Sequence, residues 1–126
     1  MDPAGPPVDV VIVDRPIARA ELRRLVDRFF GDMVKVVVDI RRRVAAVGGE
    51  LHADAEALLL ESGSLQADVW GANYYPGLGA ADCLEFTALI NIRPGQGNRS
   101  MVIEDETVRE AVREAVHALV GNGDPL

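Results

Sequence analysis

Apolar and polar residues follow one another along this chain with a period that changes from segment to segment. Between residues 19 and 30, apolar side chains recur every three or four positions and Gly31 follows, which predicts an amphipathic helix that ends at the glycine. The same spacing returns between residues 106 and 120, where Asp105 is placed to cap a helix and Gly121 to end it. The pattern therefore predicts two amphipathic helices, one near each end.

Short β-branched runs predict strands between the helices. The runs "VDVVIV" and "MVKVVVDI" are separated by the first helix, so a compact crossover predicts that they pair directly and in parallel. "RRRVAAV" predicts a short returning strand, and "ADVWGANYYP" and "CLEFTALINIRP" predict two more. We predict an α+β domain with a β-α-β start, a run of antiparallel strands forming one mixed sheet, and a C-terminal helix packed on one face.

Composition limits the class of protein. A chain of 126 residues that is 48% hydrophobic predicts one folded domain over residues 8–120, with flexible tails at residues 1–7 and 121–126. The net charge of -7 argues against nucleic acid or a membrane as partner. The lone Cys83 and the proline-rich start favour a cytoplasmic protein. An exposed Tyr75 and open strand edges predict a homo-oligomer.

The stretch "GGELHADAEALLLESG" is the first candidate for chemistry. If it is extended, Glu50, His52, Asp54 and Glu56 share one face, and an imidazole with carboxylates could hold a divalent metal ion or transfer protons. The same pattern is also typical of the solvent-facing side of a strand. The many good helix formers allow a third interpretation, a short helix capped by Asp54 over residues 53–61.

The second candidate is the loop "NIRPGQGNRS". Its glycines allow close backbone approach to a ligand, and several of its side chains donate hydrogen bonds, so it could bind a phosphate or a carboxylate. These predicted ligand-binding residues are Arg93, Gln96, Asn98, Arg99 and Ser100. The alternative is a structural turn whose arginines pair with carboxylates of this acidic chain. No lysine follows Gly97, so the loop is not a nucleotide-hydrolase phosphate loop.

The two candidates could meet in one cleft. If "CLEFTALINIRP" is a strand throughout, Glu85 and Arg93 lie on its polar face and could approach His52 from a neighbouring strand. Strand order is not visible in one sequence, so this juxtaposition is a hypothesis.

The segments "GGELHADAE", "WGANYYP" and "INIRPGQGNRS" together resemble an uncharacterised family of short bacterial and archaeal proteins, known only as a domain of unknown function. The likeness extends from about Val8 to Val120. It implies a self-standing single domain, and it carries no activity, substrate or catalytic residue that could be transferred to this chain.

Two functions follow from the candidates. The first is a non-enzymatic module that binds a small anionic ligand or has a regulatory role, with the glycine-rich loop as its anion contact. The alternative is a metal-assisted hydrolase or isomerase, in which a divalent metal ion is held by His52, Asp54 and Glu56, Glu85 is a further catalytic candidate, and Arg93 holds the substrate.

Overall fold

The computed structural model describes residues 8–126, and the expected N-terminal tail, residues 1–7, lies outside the described residues. Within residues 8–126 the chain forms one five-stranded sheet with three α-helices, so the α+β class is confirmed. The strands are β1 Val10–Val13, β2 Val34–Asp39, β3 Val44–Gly48, β4 Val69–Tyr74 and β5 Leu84–Glu85. The helices are α1 Arg19–Phe29, α2 His52–Glu61 and α3 Glu106–Leu119. Short 3-10 turns lie at Gln66–Asp68, Leu89–Asn91 and Pro94–Gln96.

The strand order is β1-β3-β2-β4-β5, and every neighbouring pair is antiparallel. The predicted direct parallel pairing of β1 with β2 is wrong, because β3 lies between these two strands. The predicted mixed sheet is also wrong, because the sheet contains no parallel pair among the described residues. A local turn explains the difference. Asp39 Oδ1 accepts the backbone N–H groups of Arg41 and Arg42, each at 2.9 Å, and so stabilises a tight β2–β3 hairpin. The predicted returning strand is β3, and the edge of β3 that does not pair with β2 pairs with β1.

Helices cover both faces of the sheet. Helices α1 and α3 pack on the face that carries Val34, Val36 and Val38, and α2 packs on the opposite face. Both predicted amphipathic helices are confirmed, and the carboxylate of Asp105 caps α3 by accepting from Thr107 N at 2.7 Å. Within the described part of the chain, no helix is both long and apolar enough to cross a membrane.

The segment that begins at His52 is a helix, so its interpretation as an extended strand is wrong. Alanine and leucine favour a helix there, and Ala55 and Leu59, four positions apart, are fully buried against the sheet. Asp54 does not cap this helix, because the N-cap position is Leu51 and Asp54 lies in the first turn.

The structure also differs from expectation at two further segments. The predicted long strand "CLEFTALINIRP" is reduced to β5, and the chain then turns through the 3-10 segments at Leu89–Asn91 and Pro94–Gln96. Residues 121–126, expected to be a flexible tail, pack against the domain. Gly123 N donates to Tyr74 Oη at 2.9 Å and Gly77 N donates to Gly123 O at 2.8 Å, while Leu126 packs against the core.

Candidate functional site

Helix α2 separates the residues of the first candidate site. His52 and Glu56 are four positions apart and lie on the inner face, whereas Asp54 lies on another side, beside a shallow hollow that Arg28 and Glu50 also line. Among residues 8–126, no group of three or more His, Cys, Asp or Glu side chains is placed to hold a metal ion. The metal-assisted alternative therefore has no observation in its favour within this part of the chain.

His52 instead forms part of a cavity of about 360 Å³ between the start of α2, strand β4 and residues 87–90. We call it the His52 cavity. Its walls are mainly apolar and come from Leu51, Ala53, Ala88, Leu89, Ile90 and Met101. Its polar lining residues are Lys35, His52, Asn73 and Thr87.

Gly71 on β4 allows these walls to approach the sheet. A Cβ atom at this position would lie 2.6 Å from Ala88 Cβ and 3.2 Å from His52 Cδ2, which is too close for the present packing. The glycine thus lets residues 87–90 and the first turn of α2 rest directly on the strand.

The imidazole of His52 is buried, and its surroundings disfavour the charged form. Its Nε2 lies 2.8 Å from Ala72 O, and since a carbonyl oxygen only accepts, Nε2 carries the ring proton. Burial lowers the pKa of His52 below its usual 6.5, and the nearby charge of Lys35 acts in the same direction; the hydrogen bond to Ala72 O and the neighbouring side chain of Asn73 oppose them. The neutral ring then has its lone pair on Nδ1.

Asn73 is also buried, and its amide is only half satisfied. Its Nδ2 donates to Glu85 Oε1 at 2.7 Å, and the hydroxyl of Tyr75 donates to the same oxygen at 3.3 Å. Within the described residues, Asn73 Oδ1 is buried and has no hydrogen-bond partner. Strand register explains the grouping, because Lys35 pairs with Asn73 across β2 and β4, and Asn73 pairs with Glu85 across β4 and β5.

Lys35 supplies the charge of the His52 cavity. It is the only lysine of the sequence and is half-buried. Its ammonium lies 5.4 Å from the centre of the Phe30 ring, and among the described residues no carboxylate lies within 4.0 Å of it. The residues that line the His52 cavity therefore carry one ammonium, two hydrogen-bond acceptors (Asn73 Oδ1 and His52 Nδ1) and the hydroxyl of Thr87, in mainly apolar surroundings.

A comparison with family models now places the chain among known sequences. The model described as "Protein of unknown function (DUF5674)" matches residues 11–119. The chain belongs to this family. No curated protein and no solved structure was found to match it significantly. The predicted resemblance to an uncharacterised family is confirmed to that extent.

In this DUF5674 chain, Arg93 is a buried structural residue. Its guanidinium donates to three backbone carbonyls, those of Ile90 at 3.0 Å, Gln66 at 2.6 Å and Val69. It also lies 3.4 Å from Glu56 Oε2 and 4.6 Å from the centre of the Trp70 ring. Burial lowers the pKa of Arg93, and Glu56 opposes that effect. These contacts favour a structural role for Arg93 over contact with a ligand.

The rest of the loop, residues 93–100, also directs its donors at its own chain. Gln96 Nε2 donates to Ala67 O at 3.2 Å, and Asn98 Nδ2 donates to the carbonyls of Asn91, Ser100 and Val102. Asn98 Oδ1 accepts from Glu104 N at 2.8 Å. The buried Asn98 thus holds the loop in shape.

An anion does occupy the 93–100 loop, and it belongs to the protein. Glu104 Oε2 accepts the N–H groups of Arg99 and Ser100 and the hydroxyl of Ser100, each at 3.0 Å. These hydrogen bonds lower the pKa of Glu104. Arg99 and Ser100, two of the five predicted ligand-binding residues, thus bind a carboxylate of the same chain.

The predicted cleft that joins His52, Glu85 and Arg93 is not formed. Glu85 reaches the His52 cavity through Asn73, but Arg93 lies at the opposite end of β4, beside Val69, and does not line the cavity. The broken strand after β5 explains the separation, because it takes Arg93 out of the register that an unbroken strand would impose.

Sequence reasoning did not identify Lys35, Asn73 or Asn91 as site or scaffold residues. One signal was present: Lys35 and Asn73 lie between apolar residues in their strands, where a polar residue needs a partner. Asn91 had no comparable signal. Its side-chain amide pairs with both Gly71 N and Gly71 O at 2.9 Å, and so takes the place of a strand residue along the edge of β4.

Proposed function

We propose that this protein binds a small organic anion with an apolar body in the His52 cavity. The observation that carries the proposal is the charge of the lining. In a chain of net charge -7, the only charged side chain that lines this mainly apolar cavity among the described residues is that of Lys35.

The size and chemistry of the cavity support this proposal. Ligand pockets commonly enclose about 300 to 1,000 Å³, with mainly apolar walls and a few placed polar groups. The His52 cavity, at about 360 Å³, suits a ligand of roughly eight to twelve heavy atoms. Because His52 is neutral, it adds no second charge, and the Lys35 ammonium selects for a carboxylate or a similar anion.

Thermal shift followed by calorimetry would test the proposal, with octanoate as the anionic probe and octanol as its uncharged match. Octanoate should raise the melting temperature and bind, and Lys35→Met should weaken that binding roughly ten-fold or more. Arg15→Gln is the matched control, since it removes one positive charge from a side chain that is 84% exposed and far from the cavity lining.

A second pair of variants tests the location. Ala53→Trp places a large side chain at the cavity wall, whereas Ala57→Trp places it on an exposed position one turn further along α2. Only Ala53→Trp should abolish binding. The proposal fails if octanoate and shorter or aromatic carboxylates leave the wild type unchanged, or if both tryptophan variants bind as the wild type does.

A further inference from the structure

The side chain of Asn73 combines a firm contact on one side with an unsatisfied group on the other. It is 92% buried, since its exposed fraction is 8%, and it lines the His52 cavity. Its Nδ2 is 2.7 Å from Glu85 Oε1, while its Oδ1 is buried without a partner within the described residues. Buried side-chain oxygens normally have a partner, so an unpaired one at a cavity wall indicates where a ligand group would bind.

Glu85 determines which end of the amide faces away from it. An ionised carboxylate accepts hydrogen bonds and cannot donate them, so only the NH₂ group of Asn73 can face Oε1 at 2.7 Å. The reverse orientation would place two oxygen atoms against each other. The hydroxyl of Tyr75 donates to the same Oε1 and holds the carboxylate in place. Asn73 therefore presents its carbonyl oxygen, and never its NH₂ group, on the side away from Glu85.

His52 adds an acceptor of the same kind. Because Nε2 donates to Ala72 O, the other ring nitrogen of the neutral imidazole has only its lone pair to offer. Asn73 Oδ1 and His52 Nδ1 are thus two acceptors among the polar groups of the cavity lining, which also include Lys35 and the hydroxyl of Thr87. A simple fatty carboxylate would pair with Lys35 and leave both acceptors unsatisfied.

We infer that the ligand of the proposed site is an apolar carboxylate that also carries a hydroxyl or amide N–H donor near its charged end. This inference rests on the proposed function, because it places the carboxylate on Lys35. Lys35 and Asn73 are directly paired across adjacent strands, so the donor and the carboxylate belong to the same end of the ligand. Glu85 acts as a positioning residue that imposes the preference for a donor through Asn73.

Calorimetry with three probes separates the contributions. Octanoate lacks the donor, 2-hydroxyoctanoate carries it, and 2-methoxyoctanoate keeps the oxygen atom without its hydrogen. The wild type should bind the hydroxy acid roughly ten-fold or more tightly than the methoxy acid, because only the former can donate to Asn73 Oδ1.

Glu85→Gln gives a readout that a merely structural role would not change. A glutamine can accept or donate, so the Asn73 amide becomes free to turn, and the preference for the hydroxy acid over the methoxy acid should fall towards parity while octanoate still binds. Glu61→Gln, on an exposed position of α2, makes the same change of charge and should keep the preference. Asn73→Ala should abolish the preference as well.

The outcomes distinguish this inference from the function on which it rests. If octanoate binds through Lys35 but the hydroxy and methoxy acids bind equally, a water molecule satisfies Asn73 and the inference is overturned while the proposed function stands. If Glu85→Gln retains the full preference, Glu85 is not the positioning residue and the inference is overturned in that part. If none of the probes binds the wild type, both fail together.

Discussion

The 93–100 loop and the His52 cavity use their polar groups in opposite ways. The loop contains many hydrogen-bond donors, and those of Arg93, Gln96 and Asn98 are directed at acceptors of the same chain. The His52 cavity has few polar groups, yet one buried acceptor, Asn73 Oδ1, has no partner within the described residues, and Lys35 has no carboxylate within ion-pair distance there.

This difference shows that the number of donors in a segment is a poor guide to ligand binding. A loop without regular secondary structure must satisfy its own backbone carbonyls, and side-chain donors such as those of Arg93 do so. What indicates a ligand is a polar group that the fold holds in place without satisfying it.

Arg93→Ala should have the largest effect, and the effect should be on stability. The substitution leaves Glu56 without its ion-pair partner and three backbone carbonyls without a donor. The ion pair is largely buried, since the side chains of Arg93 and Glu56 are 8% and 14% exposed. We expect a loss of about 3 to 5 kcal/mol in the free energy of unfolding, measured by urea denaturation. Octanoate binding, extrapolated to the folded fraction, should be unchanged.

Arg41→Ala is the control for this prediction. Arg41 also pairs with a carboxylate, Asp68 at 2.8 Å, but its side chain is 54% exposed, so its loss should cost less than about 1 kcal/mol. If Arg93→Ala instead were as mild as Arg41→Ala and abolished anion binding, Arg93 would be a ligand contact and the comparison between the two regions would reverse.

Asn91→Ala should have the next largest effect. It removes the amide that pairs with the N–H and C=O of Gly71, and both backbone groups are buried there. Leaving them unsatisfied should lower the free energy of unfolding by about 2 to 3 kcal/mol. Urea denaturation of Asn122→Ala, an exposed asparagine, supplies the baseline, and equal stability of the two variants would show that water replaces the amide at β4.

The helices and most strands could be predicted from the sequence because their signals are local. The apolar stripe of α3, its cap at Asp105 and the β-branched run of β2 each lie within one segment. Strand order could not be predicted, because it depends on which strand reaches β2 first, and the tight turn after Asp39 places β3 there ahead of β1.

The candidate site was predictable only in part. His52 was identified for a pattern of alternating charges that α2 does not preserve, so the residue was found for a reason that does not hold. The partnership of Lys35, Asn73 and Glu85 spans three strands and appears only once their register is known. An anion contact was predicted for five residues of the loop, and the anion that Arg99 and Ser100 contact is Glu104, which lies only five and four residues further along the chain.

The buried imidazole of His52 should make stability depend on pH. Burial, followed by the charge of Lys35, holds its pKa in the folded state below the unfolded value of 6.5. As the pH falls, the unfolded state therefore takes up the proton first, and the free energy of unfolding should decrease between about pH 7.5 and 5.5. Urea denaturation across this range should show the decrease in the wild type, and His52→Gln should flatten it.

His117→Gln is the matched control, since it removes the other histidine, on α3, and leaves the His52 cavity intact. It should retain the slope of the wild type. A slope that survives in His52→Gln and disappears in His117→Gln would assign the pH dependence to α3 and remove the argument that His52 is neutral.

Glu104→Ala should have the smallest effect on stability. It also tests directly whether the donors of the 93–100 loop can bind an external anion. The substitution removes Glu104 Oε2, the acceptor of two backbone N–H groups and of the Ser100 hydroxyl. An external anion can then bind where the internal carboxylate was, so phosphate should raise the melting temperature of this variant above its value in chloride of equal ionic strength.

The wild type should show no such difference, because its own carboxylate is present at a far higher effective concentration. Glu114→Ala, which removes an exposed carboxylate on α3, should behave as the wild type does. If phosphate does not distinguish Glu104→Ala from Glu114→Ala, the loop donors serve only to shape the loop. The His52 cavity would then be the one region of this comparison with a group left for a ligand.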